Sequence, residues 1–285
     1  MSALMMCPTA SFADGYIYGA LDTSSWTIDQ WKSAAGAFQF NNVKCGSLLR
    51  TRIKNVRGGI GILTPVDDTH MKNLLYGNEI RNFSADALVA NASDLTVENN
   101  KFLDGYADQA DGDGNHDDII QIFALGGRVF DNIVIHNNYI ADTTNLSRPW
   151  QSGYQGISCF DGIVTNIKIT NNVVLASAYH GISLYGARGA LIANNTVINS
   201  KANGRTNWIG IFNLKDGTPP QNVVSKDNLA SGFAGNAPAT SYTSTNNYTV
   251  SKPLETFVVY DLPTATFDLT LKPTSPFFGK GAGAY

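Results

Sequence analysis

His116, Asp117 and Asp118 stand side by side, and Gln121 follows three residues later, inside the otherwise apolar run His-Asp-Asp-Ile-Ile-Gln-Ile-Phe-Ala. Polar groups beside a core are costly unless they are paired or at work. Two adjacent carboxyls also drive their pKa values apart, so that one can keep its proton while the other stays ionised. That suits paired acid and base work. Two later runs have the same look, Tyr154-Gln155-Gly156-Ile157-Ser158 and Tyr179-His180-Gly181-Ile182-Ser183. His180 is the side chain best placed to take or give a proton near neutral pH. The candidate catalytic set is therefore Asp117, Asp118, His180, Tyr179 and Tyr154.

These runs need a frame that lays them side by side. The chain supplies one in a recurring pattern, an apolar-alternating segment that ends in Asn and is followed by another apolar pair. The aligned residues are Asn55, Asn78, Asn100, Asn138, Asn172, Asn195 and Asn228. Three of the intervals are 22 or 23 residues, and the other three are that period plus an insertion. A fixed period with insertions signals stacked units, with the extra residues rising as loops on one face. Each unit consists of short β-type segments separated by Gly, Asn and Asp turns, with no Leu-x-x-Leu-x-Leu frame. The expected fold is all-β: a single-stranded right-handed parallel β-helix of about seven coils with an Asn ladder at one bend. Residues 1–42 are expected to cap it, residues 43–232 to form the coils, and residues 233–285 to close it with loops and strands, all as one domain.

Using the Asn residues as a ruler aligns Asp86, Asp118, Gln155, His180 and Ile209 in one column. Ala85, Asp117, Tyr154, Tyr179 and Trp208 fall in the next. Ile120, Ile157, Ile182 and Ile211 would point inward, and by alternation Gln121, Ser158, Ser183 and Phe212 outward. The insertions, residues 103–115, 143–153 and 200–207, all precede this strand and should wall a groove. Its binding residues are expected to be Asp86, His116, Gln121, Arg148, Trp150, Gln155, Ser158, Ser183, Tyr185 and Trp208. Aromatic planes edged by Asp, Asn and Gln suit the flat C–H faces and hydroxyl rims of sugars.

Composition narrows the alternatives. Only 15% of residues are charged and 27 are Gly, which fits turn-rich β structure and not a helical bundle. A net charge of −3 with no basic tract gives nucleic-acid binding little support. No run of 18 apolar residues occurs, so no membrane insertion is expected. The N-terminus does not read as a secretory signal. Three widely spaced cysteines form neither a metal-ligand spacing nor a full disulfide framework. Asp111 and Asp113 are the weak candidates for a metal, with Ca²⁺ the ion they would take, but the full calcium-loop pattern is absent. No other cofactor is implied.

With the ladder, the coil length and the one-sided loops in view, residues 43–232 resemble the pectin-lyase-like right-handed parallel β-helices. That superfamily includes pectate and alginate lyases, polygalacturonase-type hydrolases, mannuronan epimerases and phage tailspike depolymerases. The polygalacturonase-type motifs find echoes in Ser84-Ala85-Asp86, Asp117-Asp118 and Tyr179-His180-Gly181, but the Arg-Ile-Lys that should follow the His occurs only at Arg52-Ile53-Lys54. The Ca²⁺-dependent lyase pattern needs a groove Arg or Lys as base, for which Lys101, Arg148, Arg188 and Arg205 are available outside the central column. The resemblance implies a polysaccharide-cleaving enzyme, with β-elimination on a uronate-containing glycan favoured. Hydrolysis through Asp117 and Asp118, and a non-catalytic spike or adhesin, are the alternatives. It further implies a polysaccharide partner, a monomer or homotrimer, and an extracellular or virion-surface location.

Overall fold

The corner that organises the coil is built by consecutive polar residues. Asn99, Asn137, Asn171, Asn194, Asp227 and Asn246 all take positive φ between 50° and 58°, the left-handed turn conformation that Asn and Asp tolerate best, and Gly77 takes it at 69°. The residue after each, Asn78, Asn100, Asn138, Asn172, Asn195, Asn228 and Asn247, then turns its side chain along the stack. Each amide nitrogen from Asn78 to Asn228 donates to the side-chain oxygen of the next Asn at 2.8 to 3.0 Å. Each also donates to a backbone carbonyl one coil back, as Asn172 does to Ile135 at 2.9 Å. Asn55 lies inside the strand Arg52–Val56, between residues paired with Arg81 and Phe83, and so falls past this corner. Asn247 occupies the corner near the other end.

The computed structural model describes residues 16–18, 38–39, 47–49, 52–56, 58–63, 72–105, 117–124, 126–146 and 153–284. Each coil visits three parallel sheets in turn. Among the described residues, sheet 1 holds eight strands, from Ser47–Leu49 to Tyr242–Thr245. Sheet 2 follows the Asn corner and holds nine, from Tyr16–Tyr18 to Tyr248–Thr249. Sheet 3 holds eight, from Phe38–Gln39 to Gly232–Gly235. Strands pair with those one coil before and after, giving a right-handed parallel β-helix. Coil strands thus occur on both sides of residues 43–232.

One inward column per sheet fills the core. Leu75, Val97, Ile135, Ile169 and Ile192 stack from sheet 1, and Ile53, Ile80, Phe102, Ile140, Val174 and Val197 from sheet 2. Sheet 3 contributes Leu88, Ile120, Ile157, Ile182 and Ile209. Ile211 pairs with Leu184 and Phe212 with Tyr185, two places beyond the alignment expected from the sequence. One place is already lost at His180, which pairs with Trp208 and not Ile209, and a register shift between His180 and Ile182 adds the second.

The chain end folds back. A short helical turn, Pro253–Thr256, leads into an antiparallel hairpin, Phe257–Asp261 with Thr266–Leu271. Phe257, Leu269 and Leu271 cluster with Ala141, Leu175 and Ile198 of sheet 2. This end segment therefore covers sheet 2 and leaves the strand column of sheet 3 to the site.

Candidate active site

Gly181 makes the local geometry. A Cβ there would lie 2.2 Å from Cγ1 of Val197 and 2.3 Å from Oδ1 of Asn207. Only glycine lets the strand sink that close at the register shift, and the shift sets His180 opposite Trp208. Gly156 in the preceding coil is equally confined, because its Cβ would meet the Gly181 carbonyl at 2.1 Å.

His180 is held from several sides. Its Nδ1 lies 2.8 Å from Oγ of Ser183, and Nε1–H of Trp208 donates to the same nitrogen at 3.3 Å. The rings of Phe160 and Trp208 stand edge-on at 5.0 and 5.2 Å between centroids. Tyr185 stacks on Phe212 at 4.7 Å behind it. Tyr179, 46% exposed, stacks on Trp208 at 5.1 Å, and the Arg205 guanidinium lies 5.3 Å from the centre of its ring. Burial pushes the Tyr185 hydroxyl up in pKa, with Lys215 opposing. A pocket of about 380 Å³ opens here, lined among others by Gln155, Phe160, Tyr179, His180, Arg205 and Lys215. That volume is in the range of small-ligand sites. Lys215 also pairs with Asp161 at 2.6 Å on the exposed rim.

The carboxyl group of sites lies further back along sheet 3. Asp118 pairs with Gln155 across neighbouring strands. It is fully buried, Ser158 donates to its Oδ1 at 2.7 Å, and its own backbone N–H donates to Asp86 at 2.9 Å. Burial and then repulsion from Asp86 hold the Asp118 carboxyl well above its ordinary pKa. Ser158 and Gln121 pull the other way, and Asp117 adds to the rise. Asp117 is itself 6% exposed.

A family described as right handed beta helix region matches residues 27–252. The chain belongs to that family. No curated protein and no solved structure matches it. The right-handed β-helix family fits polysaccharide binding or degradation in general, which agrees with a pocket of rings and polar groups on a sheet face.

Several residues of this β-helix stand elsewhere than the sequence led one to expect. Tyr154 is not in the groove. It is fully buried, edge-on to Phe83 at 5.3 Å, with its hydroxyl donating to the Ala85 carbonyl at 3.3 Å. The apolar ring is worth more inside than out, and Gly105 leaves it room. Ser158 and Ser183 are also fully buried, so they brace Asp118 and His180 and do not meet a ligand. Trp208 lies opposite His180, not beside Tyr179 in the column alignment, although it stacks on that ring. His116, Arg148, Trp150, Asp111 and Asp113 lie outside the described residues, as does most of loop 103–115 and part of loop 143–153. Lys101 is exposed on sheet 2, and Arg188 bridges Thr165 and Gln221, so neither lines this pocket. Among the described residues, no three His, Cys, Asp or Glu side chains gather as a metal site.

Phe160 and Lys215 join the pocket without having been singled out for it, and Arg205, named only as available outside the central column, joins it as well. Arg205 had a readable signal, since it sits in the insertion 200–207. Phe160 and Lys215 had none, because each follows a strand end where the turn alone decides direction.

Proposed function

We propose that this β-helix cleaves an acidic polysaccharide by β-elimination in the pocket around His180. The observation that carries it is the meeting of His180, ringed by aromatic side chains, with two cations, Arg205 and Lys215. Tyr179 and Trp208 offer a flat platform for a sugar face. Arg205 and Lys215 neutralise the uronate carboxylate, which makes the proton on the adjacent carbon easier to remove. His180 acts as base through Nε2 when Nδ1–H is given to Ser183. The C5–H electron pair becomes a C4=C5 double bond. The C4–O bond breaks, its electrons stay on the leaving oxygen, and the Tyr179 hydroxyl supplies that oxygen with a proton.

Hydrolysis is the second reading, favoured by one observation: Asp118 is held toward its neutral form beside Asp117. Its complete burial counts against direct contact with a glycosidic oxygen. The experiment is a panel of acidic and neutral polysaccharides, read in parallel for unsaturated-uronate absorbance and for new reducing ends. Elimination produces both signals on an acidic glycan. Reducing ends alone would establish hydrolysis, and binding with neither signal would leave a glycan-binding protein.

A further inference from the structure

Among the buried side-chain oxygens near the pocket that lack hydrogen-bond partners are Oδ2 of Asp118 and Oε1 of Gln155. The two residues are 0% and 8% exposed and are paired across adjacent strands. An ionised Asp and a Gln carbonyl are both acceptors, so neither can satisfy the other, and such buried orphans call for an explanation. A neutral carboxyl would supply the single donor that is lacking. We propose that Asp118 is a carboxylic acid whose Oδ2–H donates to Oε1 of Gln155, holding that amide with its NH₂ group toward the pocket.

The surroundings agree. Oδ1 of Asp118 is already taken by the Ser158 hydroxyl, which leaves Oδ2 for the proton. The ionisable groups acting on Asp118 are Asp86 and Asp117, and it acts in turn on the buried Cys159 thiol. Asp86 and Asp117 both disfavour a further negative charge there, and the buried, neutral Cys159 thiol offers none to offset it. With Oε1 turned inward, the NH₂ is the part of Gln155 left for the pocket that the residue lines. Asp118 is then a positioning residue and Gln155 the one that meets ligand. The assignment of that ligand as an anionic sugar unit rests on the elimination reading; the proton on Asp118 does not.

The decisive measurement is the infrared spectrum of the intact protein at neutral pH. A protonated-carboxyl stretch is expected in the wild-type-minus-Asp118→Asn difference spectrum, which cancels any band of the buried Asp142, and it should shift to higher frequency in Gln155→Leu, where the acid loses its acceptor. A wild type without the band overturns the proposal, as does a band that Gln155→Leu leaves in place. Loss of the band on adding Ca²⁺ would also overturn it, by revealing an ionised cation ligand. Binding of a uronate oligosaccharide supplies the second arm. Asp118→Ala should weaken it at least about tenfold, and Asp118→Asn, which keeps a neutral donor, should restore it to within about threefold. Equal losses in both variants would overturn the positioning role. A correct infrared pattern with no uronate binding would sink the elimination reading alone.

Discussion

His180 has one nitrogen shared by two neighbours, and they ask different things of it. Trp208 Nε1–H can only donate, so that contact requires an unprotonated Nδ1 and places the proton on Nε2. Ser183 can donate or accept, and at 2.8 Å it is the closer partner. Turning Nδ1–H toward Ser183 releases Trp208 and makes Nε2 the base. Replacing His180 with Ala should therefore lower turnover at least about 100-fold, the usual worth of a positioned base, with little change in Tm. Ser183→Ala should lower it roughly tenfold, the equivalent of one lost hydrogen bond of about 1.4 kcal/mol. Steady-state rates and a thermal melt on each variant check both; wild-type turnover in His180→Ala places the chemistry elsewhere. Arg205 acts on binding and on the acidity of C5–H through the same carboxylate. Arg205→Ala should therefore raise KM and lower kcat, each roughly tenfold, for an acidic glycan. A rise in KM with kcat unchanged would confine Arg205 to binding.

At the scale of strands and corners, the Asn residues are tied into the backbone as well as to one another. Asn172 donates to Ile135 and Asn195, and its oxygen receives both the side-chain and backbone nitrogens of Asn138. Asn172→Ala strands several of these buried groups and should cost about 1–3 kcal/mol in denaturant unfolding. A loss well under half of that range's lower end would mean water replaces the amide freely. Gly181→Ala meets Val197 and Asn207 at once, so it should displace His180 and abolish turnover while the far coils stay folded. Much of this scale was readable in the sequence. The period, the polar doublets and the apolar alternation are local properties, and they point to coils, corners and inward columns. Register from His180 onward was not readable: His180 already meets Trp208 and not Ile209, and the further shift at Gly181 arises from a backbone approach between coils that no single strand encodes. Tyr154 illustrates the same limit. Its neighbours in sequence suggest a groove, but Phe83 and Gly105, which draw it inward, come from two other coils.

The molecule as a whole depends on its last segment. Sheet 2 turns Ala141, Leu175 and Ile198 outward, and Phe257, Leu269 and Leu271 cover them. The Tyr260 hydroxyl adds a hydrogen bond to the Asn199 carbonyl at 2.7 Å. A chain ending at residue 252 would expose that apolar face. Each covering side chain contributes about 1.5–3 kcal/mol, so Tm should fall roughly 10 °C or more, with a rise in hydrophobic dye binding. An unchanged melt would show that the hairpin is an accessory. Charge gives a second global signature. Asp118 and Asp142 are both raised by burial, so the folded state holds protons that the unfolded chain releases. Their contribution to stability is complete below the ordinary carboxyl value of 3.8 and is lost progressively as pH rises through the raised values. Asp118→Asn should flatten that decline in a series of pH-dependent melts.

Because every coil passes the same corner, the β-helix is also a measuring stick. Adjacent coils are spaced by about 4.8 Å, so each carries sheet 3 forward by one fixed graduation. The run from Asn172 to Asn195 is 23 residues without an insertion, and it carries Tyr179, His180 and Ser183 with it. Splicing a second copy of that run into the chain would print a second histidine one graduation along. Cleavage products from such a protein would report, in sugar units, how the groove counts its substrate.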